Sequence, residues 1–131
     1  PASSELWLDG AHNAHGATAL AHSLEEMNAA RPKPLVLILG MMNTRDPADF
    51  LRPFAAVAPK VFGVTIPGEE NAHPAATIAA AARAAGLDSK ACRSIGVALE
   101  RASAVAGARV VICGSLYLGG HVLALNGTPP D

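Results

Sequence analysis

The chain has 131 residues, half of them hydrophobic and 16% charged, which suits one domain with one core and argues against disorder. Ten basic and eleven acidic side chains leave a formal net charge of −1, and aromatics make up only 4%. That balance argues against a nucleic-acid groove or an anionic membrane face as the main partner, and it leaves too few rings for base stacking.

No apolar run approaches a membrane span, and the N-terminus lacks a signal-peptide pattern. Cys92 and Cys113 have no metal-ligand spacing and read as small buried thiols, kept reduced in a cytoplasmic protein. The first residue is proline rather than methionine, so a longer parent protein is expected.

The first strand spans about Glu5 to Leu8 and reads as buried. It ends in a polar turn, Asp9-Gly10-Ala11-His12-Asn13. Ala17, Leu20, Ala21, Leu24 and Met27 then fall at helical spacing over about Ala14 to Ala30, with Asn28 the one polar residue on that stripe. Arg31-Pro32-Lys33-Pro34 ends the helix, since proline cannot continue the ladder. Leu35 to Leu39 is a continuous apolar run closed by Gly40, as expected of a parallel strand covered on both faces.

The loop from Met41 to Asp46 follows, and Asp46-Pro47 reads as an N-cap and first helical residue. The helix runs to about Val57, with Pro53 predicting a kink or a late start. Lys60 to Ile66 is the third strand. A polar loop, Gly68 to His73, leads to Pro74 and an alanine-rich helix with Ala75, Ile78, Ala79 and Ala82 inward, ending near Gly86. A weak strand around Lys90 to Cys92 precedes a helix capped by Ser94, with Ile95, Ala98, Leu99 and Ala102 inward. Arg109 to Cys113 is the last strand. Gly114-Ser115 then turns into a helix carrying Leu118, Val122 and Leu125. Alternating strands and helices predict an α/β, Rossmann-like, doubly wound and mostly parallel sheet of about five to six strands, with helices on both faces.

In such a sheet, ligands bind beyond the carboxyl ends of the strands. Three turns there carry functional residue types. Asp9 suits either the vicinal hydroxyls of a ribose or the N-cap of the next helix. His12 suits either an anion or a nearby carbonyl, and Asn13 suits a turn-fixing side-chain bond. His12 and His15 lack a third metal ligand at a clear spacing. Arg45 either pairs with Asp46 at the surface or binds phosphate or carboxylate in a fork. Ser115 either caps its helix or offers its hydroxyl to a carboxylate. Tyr117 reads as a packing residue and His121 as a helix-surface residue. There is no Walker loop, no G-x-G-x-x-G after the first strand and no nucleophile elbow, so hydride transfer and serine hydrolysis lack their parts.

Leu8-Asp9-Gly10-Ala11-His12-Asn13 resembles the segment that opens the C-terminal domain of folylpolyglutamate synthase/dihydrofolate synthase, a family grouped with the Mur ligases. Leu39-Gly40-Met41-Met42-Asn43-Thr44-Arg45-Asp46 resembles its second motif, which ends Asp-Lys-Asp. Cys113-Gly114-Ser115-Leu116-Tyr117-Leu118 resembles its last, Gly-Ser-Leu-Tyr. The three occur in the family's order, and the resemblance covers essentially the whole chain.

The resemblance implies an ATP-dependent amide ligase that adds L-glutamate to dihydropteroate or folylpolyglutamate through an acyl phosphate, with magnesium. The P-loop and magnesium ligands would belong to an N-terminal domain outside this sequence, leaving no catalytic or metal-binding residue here. Carried over by motif, Asp9 would bind ATP, and His12 and Ser115 would bind glutamate. Asn13, Arg45 and Asp46 would support the interdomain cleft. Thr44 and Arg45 depart from the family's usual aspartate and lysine, and His121 stands where glutamate is frequent. The isolated domain is expected to fold but not to turn over. Two other readings are a peptidoglycan-precursor (Mur) ligase domain and a non-catalytic α/β binding domain. A receiver-type regulatory domain is disfavoured, because neither Leu39-Gly40 nor Ile66-Pro67 supplies a strand-end aspartate.

Overall fold

The computed structural model describes residues 4–115 together with Leu118 and Gly120. Five strands form one all-parallel sheet: β1 (Glu5–Leu8), β2 (Leu35–Leu39), β3 (Lys60–Gly63), β4 (Ser89–Ala91) and β5 (Arg109–Cys113), in the order β1-β5-β2-β3-β4. Every residue of β2 and β5, the two apolar runs, is buried. The ladder of β3 stops at Gly63, although Val64 still donates to the Leu39 carbonyl at 2.9 Å and Ile66 is buried.

The helices are α1 (Ala14–Ala30), α2 (Pro47–Leu51), α3 (Ala75–Ala84) and α4 (Ile95–Ser103). Asn13 caps α1 by accepting from the Gly16 amide at 2.8 Å, and Arg31 closes it by donating to the Met27 carbonyl. Asp46 caps α2 through the Ala48 amide at 2.9 Å, with Pro47 at the first position. Pro53 has the expected effect. The α-helix ends at Leu51, and the chain continues as a 3-10 helix, Arg52–Ala56. The helix expected to carry Val122 and Leu125, with Tyr117 and His121, lies outside the described residues.

Strand order explains how the helices divide. From β1 to β2, β3 and β4 the chain advances in one direction, so right-handed crossovers keep α1, α2 and α3 on one face. Their core joins Leu20, Leu24, Phe50, Phe54 and Ile78 to Leu37, Leu39 and Val111. The step from β4 to β5 runs backwards across the sheet, so α4 packs on the other face. There Ile95, Ala98 and Ala102 meet Val36, Ile38, Phe62 and Ile112.

Two features differ from the pattern-based expectation. The first is β1, which is an edge strand rather than a buried one. Leu6, Trp7 and Leu8 are 49%, 46% and 41% exposed, since among the described residues only β5 pairs with it. The second is Asn28, the polar exception on the α1 stripe. It faces Arg109, which is fully buried. Arg109 donates from Nε to Glu5 Oε1 at 2.8 Å, from one Nη to Asn28 Oδ1 at 2.7 Å, and from the other to the Arg31 carbonyl at 3.2 Å. Arg31 adds a second cation to Glu5 at 3.1 Å. This clamp joins β1, β5 and the end of α1 at the amino ends of the strands, away from the carboxyl-end turns.

Candidate functional site

Right-handedness also fixes where a crevice opens. The chain leaves β1 and β2 towards one face of the sheet. After β5 it reaches Leu118, which packs with the α4-side core. Strand β5 therefore lies between two neighbours whose connections run to the opposite face, the condition for a ligand crevice at the carboxyl ends. The turns at those three ends are the ones the sequence marks: Asp9 to Asn13, Met41 to Asp46, and Gly114-Ser115.

Backbone hydrogen bonds bring them together. Asp9 donates to the Ile112 carbonyl at 2.9 Å, extending the β1–β5 ladder by one residue. Gly114 donates to the Ala11 carbonyl at 2.8 Å, which ties the two turns directly. Gly40 donates to the Cys113 carbonyl at 3.4 Å. The approach is close enough to require glycine at 114. Its φ is +100°, and a Cβ there would press on the Gly40 backbone carbonyl and stand 2.6 Å from Leu39 Cδ1.

Within the first turn the sequence alternatives separate. The N-cap of α1 is Asn13, not Asp9. Asp9 Oδ1 instead accepts from the Ala11 amide at 2.8 Å, rigidifying the turn. Its Oδ2 has no hydrogen-bond partner among the described residues and remains able to accept. Exposed His12 lies with Nδ1 3.1 Å from the Gly10 carbonyl. A carbonyl only accepts, so Nδ1 carries the proton and Nε2 is left for another group. A cavity of about 450 Å³, lined by Asp9, His12, Asn13, His15, Leu20 and Ser23 among others, opens beside this turn. Ser115 is buried at 5% exposure. The sulfur of Cys113, one strand residue before the turn, is fully enclosed. That burial, reinforced by the Asp9 carboxylate, pushes its thiol well above the usual range and keeps it protonated. Cys92 is also buried, and its thiol is raised for the same first reason.

The second turn is held from the other side. Met42 and Ala72 form an isolated antiparallel bridge, Asn43 donates to the Asn71 carbonyl at 2.6 Å, and His73 donates its amide to the Met41 carbonyl at 2.8 Å. Of the two alternatives for Arg45, the ion pair with Asp46 is not formed; Asp46 Oδ1 caps α2. The exposed Arg45 guanidinium has no protein partner among the described residues. It lines a cavity of about 300 Å³ with Asn13, Thr44, Asp46, Asp49 and Phe50. A larger groove of about 510 Å³ between α1 and the 3-10 helix is a different feature. There Arg52 pairs with Asp49 at 3.1 Å, and His22 lies 3.3 Å from Glu26.

The structure thus gathers Asp9, His12, Asn13 and Ser115 around the β1 and β5 ends, with Arg45 and Asp46 at the adjoining β2 loop. In the sequence His73 stands only as part of a polar loop, and no local pattern shows a contact made 28 residues away. Among the described residues no three His, Cys, Asp or Glu side chains converge as a metal site, and no helix is long and apolar enough to cross a membrane.

Comparison with known proteins adds the following. No curated protein is a significant sequence match. E. coli FolC in complex with DHPP and ADP is similar over 97% of this chain and 30% of its own, at 25% identity and a TM-score of 0.76. Mycobacterium tuberculosis folylpolyglutamate synthase complexed with ADP is similar over 96% and 30%, at 27% identity and 0.76. The bifunctional folylpolyglutamate synthase/dihydrofolate synthase of Yersinia pestis, complexed with AMPPNP and Mn ion, shares the fold at 23% identity and a TM-score of 0.79, over 97% and 30%. The chain therefore spans about 30% of the length of these solved relatives. The model describing the C-terminal domain of dihydrofolate synthetase matches residues 2–125, and with that match the chain belongs to the dihydrofolate synthetase C-terminal domain family.

Proposed function

We propose that this chain is the C-terminal domain of a two-domain, cytoplasmic, ATP-dependent ligase. The ligase adds L-glutamate to dihydropteroate, to folylpolyglutamate, or to both, through an acyl phosphate. One observation carries the reading: within a chain of this family, the Gly114 to Ala11 hydrogen bond locks the Asp9–Asn13 turn against the Gly114-Ser115 turn. An acid, an imidazole and a hydroxyl are thereby set on one rim.

Asp9 would take the ribose hydroxyls of ATP through Oδ2, its other oxygen being committed to the turn. His12 Nε2 and Ser115 would hold the incoming glutamate, and Asn13, Arg45 and Asp46 would shape the cleft between domains. The N-terminal end of α1, with its partial positive charge, favours an anion beside this rim. No set of described side chains here fits a divalent cation. We assign the Mg²⁺ ligands, together with the phosphate loop, to the N-terminal domain. Phosphorylation of the acceptor carboxylate creates the leaving group that the glutamate amine displaces. The role of this domain is to orient nucleotide and amine and to close water out.

The test is ATP hydrolysis by the complete protein. It should depend on L-glutamate and on either dihydropteroate or a reduced folate. Hydrolysis indifferent to glutamate would remove the reading.

The exposed face of β1 fits the same proposal. Leu6, Trp7 and Leu8 are the large exposed apolar side chains among the described residues, and they lie on an unpaired sheet edge. The chain is about 30% of its relatives' length, and we assign this face to the remainder of the ligase. Trp7 is the only tryptophan in this chain. Acrylamide should quench its fluorescence strongly in the isolated domain and weakly in the complete protein with any other tryptophans replaced by phenylalanine. Equal quenching would show that the face stays open.

A further inference from the structure

We infer that His73 is a positioning residue, holding the Arg45 loop so that the guanidinium of Arg45 meets an oxyanion of the substrate. His73 Nε2 lies 2.7 Å from the Arg45 carbonyl. That carbonyl can only accept, so Nε2 donates. The contact is one of three hydrogen bonds that join the loop after β2 to the loop after β3. The other two, the Asn43 amide on the Asn71 carbonyl and the His73 amide on the Met41 carbonyl, make the Met42–Ala72 bridge and fix Met41 to Asn43. The Arg45 amide closes a turn on the Met42 carbonyl at 3.2 Å. From the loop after β3, only the imidazole reaches Arg45 among the described residues.

His73 is itself well anchored. It is half-buried, and the following Pro74 opens α3, whose Ala75 amide donates to Thr65 Oγ1 at 2.9 Å. The imidazole therefore transmits the placement of α3 and β3 to the one cation that lines the 300 Å³ cavity beside Asn13. Arg45 has no carboxylate partner among the described residues, since Asp46 caps α2 and Asp49 pairs with Arg52. A planar fork left unpaired beside a polar cavity is suited to a carboxylate or a phosphate.

The kinetic readout rests on the ligase reading above, and a second readout does not. In the complete protein, Arg45→Ala, His73→Ala, His73→Gln and the Arg45→Ala/His73→Ala double variant are compared, titrating ATP and L-glutamate separately. His73→Ala should raise the KM of the substrate that Arg45→Ala affects by roughly five- to tenfold, the worth of one hydrogen bond, with kcat changing less. It should add nothing in the Arg45→Ala background. His73→Gln, whose amide can donate from a similar reach, should restore most of the loss. Whether the KM for ATP or for glutamate moves separates a phosphate from a carboxylate.

Multiplicative effects of the two alanine variants would overturn the inference, as would a fall in Tm with unchanged KM values. If the wild-type protein shows no glutamate-dependent turnover, the ligase reading fails and amide hydrogen exchange on this 131-residue chain decides the matter. The amide of Arg45, which donates to the Met42 carbonyl, should exchange faster in His73→Ala but not in His73→Gln. Unchanged exchange would overturn the positioning role.

Discussion

Replacing Arg109 by alanine should lower the stability of this domain by about 3 kcal/mol, the cost of emptying a wholly buried site and taking one donor from each of three acceptors. At this chain length that corresponds to a fall in Tm of roughly 10 °C or more. The size of the effect follows from burial and from the number of acceptors served. Arg109 is wholly enclosed and satisfies Glu5, Asn28 and the Arg31 carbonyl at once. Alanine takes one donor from each of the three and leaves a cavity between α1 and β5, while Glu5 keeps Arg31 and Trp7. Lysine should recover only part of the loss, because a single ammonium cannot span three acceptors set around a planar fork. The exposed Arg52–Asp49 pair is the control. Asp49→Asn should change stability by less than about 0.5 kcal/mol, since both partners are solvated and screened.

The same clamp sets an acid limit. The hydrogen bond from Arg109, then that from Trp7, outweighs desolvation and lowers the Glu5 carboxyl from its usual 4.5 to about 2. The unfolded chain therefore binds more protons than the folded one between those values, so stability falls as pH falls through that range. The contribution is fully present above about pH 4.5 and is gone near pH 2. Thermal melts of the wild type should show that slope, and Glu5→Gln should flatten it.

The second large effect is expected at Gly114. Alanine there meets two penalties together, a φ of +100° and a collision with the Gly40 carbonyl and Leu39. Strain of about 1–3 kcal/mol comes from the backbone alone, and overpacking adds a similar amount. Gly86→Ala separates the two terms. Its φ is +83°, but nothing lies within 4 Å of the added Cβ, so only the strain remains. Urea unfolding should place Gly114→Ala well below Gly86→Ala. Equal losses would mean that the β5 end can move away from β2 without cost. Because the Gly114 amide also holds the Ala11 carbonyl, the alanine variant of the complete enzyme should lose activity beyond its loss of stability.

How much was visible in one dimension depends on the range of the interaction. The α1 stripe, the caps at Asp46 and Ser94, the break at Pro53 and the buried runs of β2 and β5 are set within a few residues. All were legible. Strand order was not, because nothing local tells β5 to insert between β1 and β2. The same blindness made β1 look buried. Leu6-Trp7-Leu8 is as apolar as a central strand, and only the sheet's topology leaves it at an edge. Asn28 stood out as a polar residue on an apolar stripe, but its reason lay 81 residues away in Arg109. At the rim, the fold brings the turns that carry the motif residues to one edge of the sheet. Their division of labour, with Asn13 capping the helix and Asp9 bracing the turn with one oxygen, required coordinates.

The most direct measurement is a split in Michaelis constants for the proposed ligase reaction on the complete protein. Asp9→Ala should raise the KM for ATP at least about tenfold, leaving that for glutamate within twofold or so, and Ser115→Ala should do the reverse. If neither constant moves in variants that remain folded, the rim at the ends of β1 and β5 is not the substrate cleft.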